Sequence, residues 1–228
     1  MLSLKQSLGL NSIRPLGGWK PSDEGANLIA WYKNKVGITL NGSDVSAWAD
    51  SSTNSHTMVQ ATASEQPAYN ASTGALTFDA SADQNLQTTT QMTFSGAFTI
   101  GLRLFPTADN AVVIGDNTTS NEFFKIITST RLRFKTDGSQ RDMDLDSGSL
   151  LTDNYLVITR NSSNLITIHF NGSAQSDTET LSGTADIDAI GVRHPDTNPY
   201  AGVIKEIQIF DTESTALTAN VNTYLSNL

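Results

Sequence analysis

The chain has 228 residues, no Cys, only 16% charged residues and a net charge of −9. That length suits one large β or α/β domain or two small ones, with enough chain to bury a core unaided. The composition excludes a disulfide scaffold, a thiolate metal site and a Cys nucleophile.

Ser, Thr and Asn make up 71 of the 228 residues. A chain rich in hydroxyls and amides and poor in charge reads as all-β with many turns, not as a helical bundle. The charge is unevenly placed: residues 1–20 carry +3 and residues 21–228 carry −12. An acidic body is a poor nucleic-acid binder, since Lys and Arg make the phosphate contacts. No apolar run approaches the ~18 residues of a membrane span. The first twenty residues lack the continuous apolar stretch, ~7 residues or more, of a secretory signal.

In chain order, residues 1–25 read as an arm. Leu2, Leu4, Leu8, Leu10, Ile13 and Leu16 follow no sustained period, and Pro15, Gly17, Gly18 and Pro21 interrupt them. It is either a loose terminus or a segment that docks on a neighbour. Residues 37–40 and 45–49 flank a hairpin turn at Asn41–Asp44. Strand signals follow at 75–79 and 85–90. Over 97–104 the alternation is clean, with Phe98, Ile100, Leu102 and Leu104 facing one way and Thr99, Gly101 and Arg103 the other. Residues 111–115 form a short apolar run. Residues 122–128 and 131–136 make a second hairpin, and 154–160 and 165–170 a third about Asn161–Asn164. Residues 187–193 and 201–210 complete the strands. Residues 214–228 are the one helix, with Ala216, Leu217, Val221, Tyr224 and Leu225 at helical spacing. A dozen short strands without strand–helix alternation predict one antiparallel two-sheet sandwich over 26–228.

Certain segments resemble a known family. Residues 28–50 hold an early Trp31, a strand, a turn, then Trp48 and Asp50. Residues 76–86 hold Phe78, Asp79, Ser81 and Asp83, with Ala80 where the family usually has Gly. Residues 166–172 end a strand in Asn-Gly, and 200–211 hold Gly202, Glu206 and Asp211. Together they resemble laminin-G-like, concanavalin A-like jelly rolls. The resemblance implies an all-β jelly-roll fold and is weak for function, because this sandwich hosts lectins, glucanases, adhesion modules and virion proteins.

A short arm directly before such a domain looks most like structural proteins of tailed bacteriophages. That implies a non-catalytic virion protein, a capsid decoration or appendage, assembled in the host cytoplasm. It would be attached through Leu2, Leu4, Lys5, Leu8, Leu10, Ile13, Arg14 and Trp19 to other virion proteins or to further copies of itself. The alternative is a lectin-like carbohydrate-binding module recognising a host or environmental glycan. Neither reading calls for a cofactor, a nucleic acid or a membrane.

Candidate chemistry is sparse. Glucanases on this fold resemble one another in a Glu-x-Asp-x-x-Glu strand or a close variant. None of the six Glu here stands in such a motif. Asp142, Asp144 and Asp146 could gather Ca²⁺, although Ser147 and Asp153 fall where an EF-hand loop needs Gly and Glu. The competing reading is an edge strand with solvent-facing acids. His56, His169 and His194 read as ordinary surface or loop histidines. Trp31 and Trp48 read as core. The polar loops 115–121 and 193–199 could bind a glycan or simply be solvated.

Overall fold

The computed structural model describes residues 18–228. The strands are β1 (Leu28–Tyr32), β2 (Ile38–Asn41), β3 (Asp44–Trp48), β4 (Met58–Val59), β5 (Ala68–Asn70), β6 (Ala75–Phe78), β7 (Leu86–Phe94), β8 (Phe98–Pro106) and β9 (Ala111–Gly115). They continue with β10 (Phe123–Thr128), β11 (Arg131–Thr136), β12 (Ser139–Asp144), β13 (Asn154–Arg160), β14 (Leu165–Phe170), β15 (Ser173–Ala174), β16 (Glu179–Thr180), β17 (Ala185–Ile190) and β18 (Gly202–Phe210). One α-helix, α1 (Thr215–Leu225), closes the chain.

All pairings are antiparallel, and they fold into two packed layers. The first sheet runs β1–β18–β8–β13–β14, with β6 beside the start of β18 and β15 and β16 on β14. The second runs β2–β3–β4–β7–β17–β9–β10–β11–β12. The strand β5 pairs with both β3 and β6 and joins the layers at one corner. The fold is therefore the expected all-β antiparallel sandwich with one short C-terminal helix.

The period-2 pattern sets the core. On β8, Phe98, Ile100, Leu102 and Leu104 point between the sheets to meet Ile204, Ile207 and Ile209 of β18. Thr99, Gly101 and Arg103 take the outer face, and there α1 lies across β8 and β13. A Cβ on Gly101 would stand 2.6 Å from Val221 Cγ1 and 3.2 Å from Leu225 Cδ1, so the missing side chain lets the helix sit down. Ser214 caps the helix, accepting from Leu217 N at 3.1 Å. Leu28, Trp31, Val157 and Phe210 complete a second apolar cluster with Leu217, Val221 and Leu225.

At the end of the expected arm, residues 21–27 form a 3₁₀ turn leading straight into β1. Trp19 packs on its own chain, its ring centroid 6.3 Å from that of Phe210 and 6.2 Å from that of Tyr224, and its Nε1 donates to Glu24 at 2.8 Å. Its bulk finds the nearest apolar surface, the seam between β18 and α1. Leu2, Leu4, Lys5, Leu8, Leu10, Ile13 and Arg14 lie outside the described residues. Among these, no helix is long and apolar enough to cross a membrane.

Candidate functional site

The helix-covered face holds one buried carboxylate. Glu206 of β18 is fully shielded. It accepts from Trp31 Nε1 at 2.7 Å, Asn34 N at 3.0 Å and Gln208 Nε2 at 2.8 Å. Burial raises its pKa, and these donors pull it back. Both carboxylate oxygens are engaged inside the fold, so Glu206 is a structural tie between β1 and β18 beneath α1. Trp31 belongs to this second cluster rather than to the core between the sheets, whereas Trp48 lies in that core as expected.

The outer face of the second sheet is different: among the described residues no helix lies on it. The two polar loops singled out in the sequence meet there. Asp116 builds the first loop, its carboxylate accepting from Thr118 N and Oγ1, both at 2.6 Å, and from Thr119 N at 3.1 Å and Oγ1 at 2.8 Å. His194 ties the second loop to it, donating from its backbone N to Asp116 O at 2.8 Å. Its Nδ1 lies 3.1 Å from Asn117 O. Gly115 permits the overlap, since a Cβ there would meet Val192 O at 2.7 Å and Arg193 Cβ at 2.9 Å.

Beside this junction opens a cleft of about 500 Å³ over β4, β7 and β17. Gln60, Gln87, Thr88, Asn117, Thr118 and Asp188 line it, with Val59 at its rim. Asn117 Nδ2 donates to Gln87 Oε1 at 2.7 Å, and Asn117 N to Asp188 Oδ1 at 2.6 Å. Burial raises the Asp188 pKa, Asn117 N–H opposes this, and Asp116 and Asp186 add repulsion. Amides and hydroxyls donate and accept at once, which is the complement a polyhydroxylated ligand requires. Asp188 is the only carboxylate lining the cleft, whereas glycoside hydrolysis takes a facing pair. A second cleft, of about 520 Å³ between β13, β14 and α1, also has one carboxylate, Glu213, along with Thr159, Thr167 and His169.

The remaining sequence candidates disperse. Asp142 and Asp144 are gripped by arginines of the neighbouring strand β11: Arg131 reaches Asp144 at 2.8 Å, and Arg133 binds both oxygens of Asp142. Asp146 accepts from Ser176 N at 2.8 Å and from its hydroxyl. No metal-holding group of His, Asp and Glu occurs among the described residues. His169 is on the outer face of β14. His56 lies in the loop between β3 and β4 and is buried there, its N donating to Asp50 at 3.1 Å and its O accepting from Tyr32 at 2.6 Å. Gln60, just past β4, and Gln87 and Asp188, on β7 and β17, are single polar residues with no spacing in the sequence to mark them.

The family model described as "Concanavalin A-like lectin/glucanases superfamily" matches residues 79–220. No curated protein matches by sequence. Among solved structures, the chain is similar to the binding domain of Paraclostridial Mosquitocidal Protein 1 at 12% identity and TM-score 0.61, covering 91% of this chain and 53% of that one. It is also similar to domain 4 of AbnA, a GH43 extracellular arabinanase from Geobacillus stearothermophilus, in complex with arabinotriose (14% identity, TM-score 0.57, 86% and 98% covered). A third likeness is to the botulinum neurotoxin serotype D binding domain (14%, TM-score 0.57, 88% and 51%). The chain thus spans about half the length of these two binding domains.

Proposed function

We propose that this chain, which belongs to the concanavalin A-like lectin/glucanases superfamily, is a non-catalytic carbohydrate-binding module. The observation that carries the reading is the cleft beside the clamped loops, on a sheet face without a helical cover, where amides, hydroxyls and one carboxylate converge. Two fold neighbours support it: one described as a binding domain, the other domain 4 of an arabinanase in complex with arabinotriose. The single carboxylate favours binding over hydrolysis.

The test is a glycan array probed with the full chain, followed by titration of the best ligand into Asn117→Ala and Gln87→Ala. A lost hydrogen bond of about 1.4 kcal/mol weakens affinity about tenfold. Absence of binding to every glycan, or variants that bind as tightly as wild type, would overturn the reading.

A second reading, favoured by the charge division, displays this module on a phage particle through residues 1–20. Their +3 would face the acidic surface of a neighbouring subunit, an attraction that weakens with salt. Removing residues 2–17 should leave glycan binding intact and abolish incorporation; normal assembly of the truncated chain would end this idea.

A further inference from the structure

Three basic side chains gather near Phe123 on the open sheet face. On β10, Phe124 and Ile126 face the core, so Phe123 and Lys125 face outward. Lys125 stands opposite Arg133 of β11 on one side and Val112 of β9 on the other. It is only 7% exposed, yet it has no hydrogen bond or ion pair among the described residues. The Arg193 guanidinium carbon lies 4.9 Å from the Phe123 ring centroid, and Lys135 Nζ 5.8 Å from the same ring. Arg193 spends one long bond on Asn198, at 3.3 Å, while its Nε is buried without a partner.

This arrangement is unusual for so acidic a chain. Two strands from Lys125, Asp142 neutralises Arg133, and Asp144 does the same for Arg131. No carboxylate answers Lys125 or Arg193 among the described residues. Lys125 thus has a covered stem and no counter-charge, and Arg193 has a buried Nε without a partner; such groups call for an explanation. Burial, with repulsion from Arg193 and Arg133, lowers the Lys125 pKa.

We infer that Lys125 and Arg193 form a subsite for the anionic group of an acidic sugar, a carboxylate or a sulfate ester. The inference rests on the carbohydrate-binding reading and names the ligand class. Arg193 belongs to the loop that His194 ties to Asp116 and Asn117, so subsite and cleft share one support. Guanidinium and ammonium groups together match a planar or tetrahedral oxyanion. The −12 charge of residues 21–228 selects against a long polyanion, and so for a single charged sugar within a glycan.

The experiment titrates the full chain with trigalacturonate, 3′-sialyllactose and a galactose 6-sulfate trisaccharide, each beside its uncharged parent. Wild type should prefer at least one charged member about tenfold, and the preference should shrink between low and high salt. Lys125→Met keeps the buried stem and removes the charge. It and Arg193→Gln should abolish the preference while leaving affinity for the neutral parents unchanged. The group preferred, carboxylate or sulfate, names the source. Equal binding of charged and neutral members, or variants that keep the preference, overturns the subsite and leaves the carbohydrate reading standing. Absence of binding to any sugar here and on the array overturns both. Unchanged near-ultraviolet circular dichroism establishes that the variants are folded.

Discussion

The two outer faces of the sandwich each bury a charge, and they treat it in opposite ways. Under α1, Glu206 is fully shielded and receives three donors. On the open sheet, the Lys125 stem is covered, and its ammonium meets no acceptor among the described residues. A charge whose hydrogen-bond complement is complete inside the fold serves the fold. A charge whose complement is missing is poised for something from outside. Burial alone does not separate structure from function here; the satisfaction of the buried group does.

The strongest way to break this contrast is to remove Glu206. Glu206→Ala leaves the Trp31 indole N–H, Asn34 N–H and Gln208 amide without their shared acceptor. The expected loss is about 3–5 kcal/mol in denaturant unfolding. Glu206→Gln, which keeps one acceptor oxygen, should lose about half as much. If Glu206→Ala unfolds at the wild-type denaturant midpoint, the structural assignment is wrong. Any glycan affinity of the folded Gln variant should match wild type, because the cleft lies on the other sheet. A smaller effect comes from Gly101→Val, which drives a branched side chain into Val221 and Leu225. Overpacking of this kind costs about 1–3 kcal/mol. Melting unchanged from wild type would show that α1 does not need the close approach.

Much of this contrast was legible in the sequence, but unevenly. The alternation of Phe98, Ile100, Leu102 and Leu104 located β8 and its buried face, because period 2 is a local signal. The short strands β4, β5, β15 and β16 carry no such signal at two or three residues each. Loops 115–121 and 193–199 were visible as polar segments. Their meeting was not, since it depends on Gly115 and on a bond between His194 and Asp116 across 78 residues of chain. Lys125 read as one member of a hairpin strand. Its isolation from carboxylates appears only once β10, β11 and β12 are laid in register. Trp19 read as a docking residue because its partners, Phe210 and Tyr224, lie some two hundred positions away.

The finest test sets the satisfied charges of the edge strand against those of the interior. Arg133 holds the Asp142 carboxyl below the usual aspartate range, chiefly by its hydrogen bonds, partly opposed by desolvation. A carboxylate whose folded pKa is depressed gives stability above its unfolded value, near 3.9 for aspartate, and loses it as pH falls through the folded value. Glu206 has the opposite sign: its raised pKa gives stability below the unfolded carboxylate value, lost as pH rises through the folded one. Acid therefore weakens the edge ladder and not the helix-covered face. With side-chain exposures of 28% and 32%, the Arg133–Asp142 pair is screened by solvent and worth at most about 1 kcal/mol. Asp142→Asn should lower stability at pH 7 by no more than that and leave stability near pH 3 unchanged. Urea unfolding at the two pH values reads the difference. An Asn variant with the full wild-type loss between pH 7 and pH 3 would remove Asp142 from the acid response and place that response elsewhere in the sandwich.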